Sequence, residues 1–339
     1  MWGSASIQIL VKLKLWPLPS LEKGESTLMK LIMRPYQTEG DYNRIRDFLR
    51  QVFLLNNRRM LSWPVARLDY WRWHGIYNLE QGLLERDVFL WETERSQLAA
   101  VLNCEGLGYA FLQVHPAFKT VELEESMIIQ AEERLWAPSV KGGTTLRVWT
   151  EAGDAKRIEI LQQRGFTHVV EDDEHQWRHS LELPIPEGKA REGYIIRQLG
   201  EPSELPSRSW ASWRAFHSNE PDEKYDPDWK WYLNIQAAPL YRPELDLVAV
   251  APGGEVAAFT TIWYDEATQS GYFEPVGCIP EHQRKGLASA LMFEGMRRLR
   301  SIGAIMCMVG GGSMHANGLY QAVMDPVFDI CQPWEKRWA

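Results

Sequence analysis

Cysteine is scarce: Cys104, Cys278, Cys307 and Cys331 are the four in 339 residues, and no two form a C-x-x-C pair. That excludes a disulfide-stapled scaffold and a thiolate metal cluster, and it reads as reduced packing residues of a cytoplasmic protein. Basic residues are not in excess either. The formal net charge is −8, which argues against general affinity for nucleic acid or anionic membranes and favours a neutral or cationic partner. No apolar run is long enough to span a bilayer. The Ile7 to Trp16 stretch is interrupted by Gln8, Lys12 and Lys14 and lacks a small-residue cleavage site, so residues 1–30 read as a leader or an added edge strand. Neither a G-x-x-x-x-G-K-[ST] loop nor a G-x-G-x-x-G turn after a first strand occurs. His168, His175 and His179 lie among Glu171, Asp172, Asp173 and Glu174, but that run reads as a charged turn, and no metal site is expected.

What is present is ordinary for a globular chain, with 45% apolar and 24% charged residues. The length predicts two domains, each large enough for its own core. Leu183-Pro184-Ile185-Pro186-Glu187-Gly188 reads as a linker, because its prolines break the preceding strand. The expected division is 31–183, a linker at 184–192, and 193–339.

The most informative stretch is Val276-Gly277-Cys278-Ile279-Pro280-Glu281-His282-Gln283-Arg284-Lys285-Gly286-Leu287-Ala288. It ends an apolar strand, turns through basic and glycine residues, and opens an amphipathic helix with Leu287, Leu291, Met292, Met296 and Leu299 on one face. N–H groups at a helix start are unpaired and carry the positive end of the dipole, so they suit a diphosphate. Gly286 and Ala288 allow close approach, and Arg284 and Lys285 add charge. His282 reads as a surface neighbour.

Around this cradle the order of elements is regular. Leu245 to Ala251, Glu255 to Tyr264 and Ser270 to Cys278 read as three strands. Gly303 stops the helix, Ala304 to Val309 reads as a buried strand, and His315 to Val323 as a helix. An imperfect copy precedes it: Met33 to Tyr36, a helix from Asn43 to Leu54, strands Phe89 to Thr93, Leu98 to Leu102 and Tyr109 to Val114, helix Glu124 to Trp136, strand Thr145 to Trp149 and helix Ala155 to Gln163. His115-Pro116 stands where Ile279-Pro280 stands later. The copy lacks the cradle, since Ala117 to Leu123 offers no glycine and Glu122, Glu124 and Glu125 would repel a diphosphate.

Gln283-x-x-Gly286-x-Ala288 after Val276-x-Cys278-x-Pro280, with Asn317 and Tyr320 on the later helix, resembles the acetyl-coenzyme A loop and site helix of the GNAT superfamily of N-acetyltransferases. The resemblance implies an α/β (α+β) fold of two tandem GNAT domains, each a mixed, mostly antiparallel sheet flanked by helices. The first has lost its cofactor loop, an arrangement similar to mycothiol-synthase-like members. One departure is that Tyr320-Gln321-Ala322-Val323-Met324-Asp325 lacks the glycine that usually ends this helix in a left-handed turn.

The resemblance further implies acetyl-CoA as cosubstrate, held by Val276, Gly277, Cys278, Gln283, Arg284, Lys285, Gly286, Leu287 and Ala288, with Asn317 either holding coenzyme or capping. It makes Tyr320 the acid toward the departing thiolate. Glu274, which alternates with Tyr272 and Val276 along its strand, is a possible base or an exposed carboxylate. The acceptor is expected to be the amine of a small molecule. Glu220, Asp222, Glu223, Asp226 and Asp228, beside Trp229 and other tryptophans, would suit a cationic amine, or they are a solvated loop. Asp226-Pro227 reads as the cap and first-turn proline of a helix through Leu233. Aminoglycoside-type acetylation and a non-catalytic acyl-CoA sensor are the rival readings.

Overall fold

Two-residue alternation of apolar side chains makes strands of this chain and 3.6-residue recurrence makes its helices. The computed structural model describes residues 8–12 and 28–339, and the rest of the expected leader lies outside the described residues. The first elements are β1 (Gln8–Lys12), β2 (Leu28–Pro35), α1 (Glu39–Leu55), α2 (Val65–Tyr70), a π-helical turn (Trp71–Ile76), α3 (Tyr77–Leu79) and α4 (Leu84–Asp87). They are followed by β3 (Val88–Thr93), β4 (Leu98–Asn103), β5 (Tyr109–Val114), α5 (Val121–Arg134), β6 (Ala137–Pro138), β7 (Thr144–Glu151), α6 (Ala155–Gln163) and β8 (Thr167–His168). Next come β9 (Glu174–Ser180), β10 (Ile195–Gln198), α7 (Leu205–Phe216), α8 (Trp231–Gln236), β11 (Asp246–Val250) and β12 (Val256–Asp265). The last are β13 (Ser270–Cys278), α9 (Leu287–Ser301), β14 (Met306–Gly311), α10 (Met314–Val323) and β15 (Phe328–Trp338).

The chain divides into two compact units, and neither is continuous in sequence. Unit 1 comprises Met1–Val65, Leu79–Asp173 and Asp329–Ala339, while unit 2 comprises Ala66–Asn78 and Glu174–Phe328. In unit 1 the sheet order is β1-β2-β3-β4-β5-β7-β15, with β6 beside β7 and β8 beside β15. Only β5 and β7 are parallel among these pairs. Cys331 to Trp338 of β15 pair antiparallel with Thr144 to Glu151 of β7, so the outer ladder of this sheet comes from the far end of the sequence. Tyr42, Ile45, Phe48, Leu49, Val52 and Phe53 bury one face of α1.

In unit 2 the order is β9-β14-β13-β12-β11-β10, with β13 and β14 the parallel pair. Glu174 to Ser180, read from sequence as part of a charged turn, is instead a strand, and His175 to Ser180 pair with Met306 to Gly311. The ladder of β14 supplies the hydrogen bonds that its own charged sequence does not advertise. Leu287, Leu291, Met292, Met296 and Leu299 of α9 are buried in the core of this unit. Both units thus have the mixed, mostly antiparallel sheet with helices that the sequence predicts. Among the described residues no helix is long and apolar enough to cross a membrane.

Candidate active site

β13 and β14 pair only over Ser270–Tyr272 and Met306–Met308, yet the strands run on to Cys278 and Gly311. The two strands therefore part, and the backbone of Val276, Gly277 and Cys278 has no ladder with β14. Beyond them Pro280–His282 makes a 3-10 turn, and the chain enters α9 through Gly286 as N-cap. Gly286 has φ +73°, and a Cβ there would stand 2.6 Å from the Lys189 carbonyl oxygen, so glycine is required twice over. Because glycine has no side chain to cap with, the first N–H groups of α9, those of Leu287 and Ala288, have no helical or side-chain acceptor among the described residues. Gln283 donates to the Cys278 carbonyl at 3.3 Å and Lys285 to the Glu281 carbonyl at 2.8 Å, while Arg284 is exposed. His282 is held by the Tyr194 hydroxyl, at 2.7 Å.

The corresponding helix of unit 1 is closed. Thr120 caps α5, its hydroxyl accepting from the Leu123 N–H at 3.2 Å. Glu124 in the first turn is buried against Arg157, and Lys119 reaches Asp154 at 2.5 Å. An internal cap and internal ion pairs take up the donors and charge that a diphosphate would need.

On the other side of the gap, Ser313 caps α10. Asn317 accepts from the Trp177 indole at 2.8 Å and donates to the Gly311 carbonyl at 3.1 Å, so its amide ties α10 to β9 and β14. Tyr320 is buried, and burial first, then Glu274, then Glu174, push its hydroxyl well above the usual tyrosine range. The missing glycine after Tyr320 has a substitute: Met324 is extended, and the Asp325 carboxylate accepts from the Ser180 N–H at 2.9 Å and lies 3.0 Å from His179.

The simple alternation expected through Glu274 does not hold. The register shifts between Thr260 and Ile262, which pair with Val276 and Phe273, so two residues of β13 oppose one of β12. Val276 consequently packs with the α9-side core, as Phe273 does. The Glu274 carbonyl accepts from the Trp263 indole at 2.6 Å, and Trp263 stands edge-on to Tyr70 with ring centroids 5.8 Å apart.

Tyr70 belongs to the Ala66–Asn78 segment of unit 2, whose place no local sequence motif marks. In the π-helical turn that follows, His74 lies 5.3 Å from the Trp231 ring, and Asn78 donates to the Trp231 carbonyl at 3.1 Å. Burial, and then Arg208, lower the His74 pKa to about 4. Arg208 on α7 is itself fully buried, its guanidinium 3.7 Å from the centroid of Phe259 and 4.8 Å from that of Tyr232. The density of aromatics in Trp71-Arg72-Trp73-His74-Gly75-Ile76-Tyr77 was the one available signal for this segment.

The acidic loop lies at the surface. Asp222, Glu223 and Asp226 are exposed and Trp229 is half-buried. Arg214 of α7 bridges toward the cradle, 3.9 Å from Asp222 and 2.7 Å from Glu281. Asp226 caps no helix: it accepts from the Asp228 N–H at 2.9 Å and Asp228 accepts from that of Lys230 at 3.0 Å, so α8 starts only at Trp231. The carboxylates that act on Tyr320 are Glu274 and Glu174.

A parted parallel strand pair, a helix start without a side-chain cap beside it and the buried Tyr320 of α10 make up the candidate site. The sequence pattern of the acetyltransferase (GNAT) family matches residues 206–324, and that segment of unit 2 is a GNAT-family acetyltransferase domain. A mycothiol acetyltransferase from Pseudarthrobacter chlorophenolicus is 22% identical over 237 residues, 63% of this chain and 65% of that protein. The match thus spans less than two thirds of that relative's length. Among solved structures, a GCN5-related N-acetyltransferase from Sphaerobacter thermophilus superposes with a TM-score of 0.62 at 17% identity, covering 91% of this chain and 95% of that one. A tandem GNAT protein from the clavulanic acid biosynthesis pathway does so with 0.60 at 11%, covering 91% and 98%. At these identities the two structures establish the fold, which is the tandem one.

Proposed function

We propose that the chain is an acetyl-CoA-dependent N-acetyltransferase acting on the amine of a small molecule, by direct transfer in a ternary complex. The observation that carries the reading is the contrast between the two helix starts: α9 opens on a left-handed glycine with free N–H groups, whereas α5 is capped by Thr120 and closed by ion pairs. The residues fit the cosubstrate on that ground. Acetyl-CoA would supply the thioester acetyl group. Leu287 and Ala288 N–H groups would take the diphosphate, with Arg284 and Lys285 adding charge. The β14-side edge of Val276 to Cys278, whose other edge pairs with β12, would pair with the pantetheine arm and place an N–H toward the developing oxyanion. Tyr320, kept as a phenol at neutral pH, would donate a hydrogen bond to the departing sulfur. Burial raises the Cys278 thiol to about 11, which disfavours a thiolate nucleophile at the site and supports direct transfer over an acyl-enzyme.

The relative named for mycothiol makes a small-molecule amine the first acceptor to try. The test is thiol release from acetyl-CoA with a panel of glucosamine, kanamycin and cysteine amide. Amine-dependent release with acetylated product supports the reading. Binding of acetyl-CoA at one site without release from any of them would make this domain a sensor, and no binding at all would remove the coenzyme assignment.

A further inference from the structure

We propose that Glu174, from the strand β9 added beside β14, is a catalytic residue that takes the proton from the acceptor nitrogen. The inference rests on the acetyl-transfer reading. Glu174 Oε1 lies 2.4 Å from the point where a Cβ on Gly310 would stand, and the Tyr272 hydroxyl lies 3.5 Å from the same point. At the next residue, Gly311, the added Cβ would meet Asn317 at 2.2 Å and Tyr320 at 3.1 Å instead. Successive strand residues project to opposite faces, so Glu174 and Tyr272 approach β14 from one side and α10 from the other. Gly310 also lies just beyond Met308, where the β13–β14 ladder ends and the strands part.

The carboxylate is divided between two neighbours. Oε2 lies 3.6 Å from Arg67 on α2, and the Glu174 side chain is 17% exposed, shielded but reachable. Oε1 faces Gly310 and Tyr272. Glu274 and Glu174 both act electrostatically on Tyr320, raising its hydroxyl after burial. Arg67 and the Tyr272 hydroxyl are among the charged and titratable groups beside Glu174.

The chemistry balances with these parts. The neutral amine adds its lone pair to the thioester carbonyl carbon, forming C–N, and its N–H becomes acidic only as that bond forms. Glu174 takes that proton, the tetrahedral adduct collapses with cleavage of C–S, and the sulfur leaves as a thiolate held by the Tyr320 O–H. Glu174 then returns its proton to solvent through its exposed edge. The acceptor class is a primary or secondary amine, which gives its ammonium proton to bulk water before it attacks and its second proton to Glu174 as the C–N bond forms.

The test uses the full chain, acetyl-CoA and whichever of glucosamine, kanamycin or cysteine amide the wild type turns over fastest. Glu174→Gln should lower kcat/KM for the amine about 100-fold while the KM for acetyl-CoA and the thermal midpoint stay near wild type. Glu174→Ala, which leaves a carboxylate-sized space, should regain activity as sodium formate is added, and sodium chloride should not restore it. Arg67→Met should lose far less rate than Glu174→Gln. Wild-type kcat/KM in Glu174→Gln would overturn the proposal. So would a loss that formate does not repair and that Arg67→Met reproduces, since Glu174 would then only anchor Arg67. An inactive wild type would overturn the acetyl-transfer reading, and this inference with it.

Discussion

At the scale of single residues the clearest test is Tyr320. Burial and two carboxylates raise its hydroxyl, so in the proposed transfer full release of its proton to a thiolate would be uphill and its role would be hydrogen bonding. Tyr320→Phe should lower kcat about 100-fold with little change in acetyl-CoA affinity, as expected of a contact made in the transition state. A group with a raised pKa stays protonated to higher pH. The wild-type kcat should therefore show no alkaline fall near pH 10 from this tyrosine, which a pH–rate profile would check. Gly286→Asp should abolish acetyl-CoA binding by calorimetry, since it strains a left-handed position, collides with the Lys189 carbonyl and puts negative charge at the diphosphate. Tyr320 and Gly286 were legible because a local motif carries them. Glu174 was not: its neighbours are Gly310, Tyr272 and Arg67, 136, 98 and 107 positions away, and nothing local in its charged run marks a strand.

At the scale of elements, periodicity located most strands and helices, with ends shifted by a few residues; α6 and β13 fall where the sequence puts them. It failed where side chains compete with the pattern. Asp226 and Asp228 fold the backbone into turns, which delays α8 to Trp231, and the slip opposite Thr261 breaks the alternation along β13. The π-helical turn carries its own prediction. His74 titrates near pH 4 in the folded chain against 6.5 for a free side chain, so the unfolded state binds the proton first on acidification. Stability linked to His74 is fully present above pH 6.5, falls as pH drops toward about 4, and levels off below. Hydrogen exchange at α8 should report this loss between pH 6.5 and 4.5, and His74→Gln should flatten it.

At the scale of the molecule, one helix start is open and one closed, so calorimetry should find one acetyl-CoA per chain; two equivalent sites would contradict the closure of α5 by Thr120 and Arg157. Removing residues 329–339 should strip β15 from β7, and amides of Thr144–Glu151 should then exchange faster while those of β13 keep their protection. The assignment of β9 to unit 2 and β15 to unit 1 was beyond local reading, because a strand's sequence records its exposure but not its partner. That exchange of strands also dictates a timetable. During synthesis the chain of unit 1 is complete through Asp173 long before Cys331 to Trp338 exist. At about 5–20 residues per second the wait is on the order of 10–30 s. Throughout it β7 presents an unpaired edge on the ribosome, so the half of the protein that is made first is the half that finishes last, and it is the one a chaperone has most reason to hold.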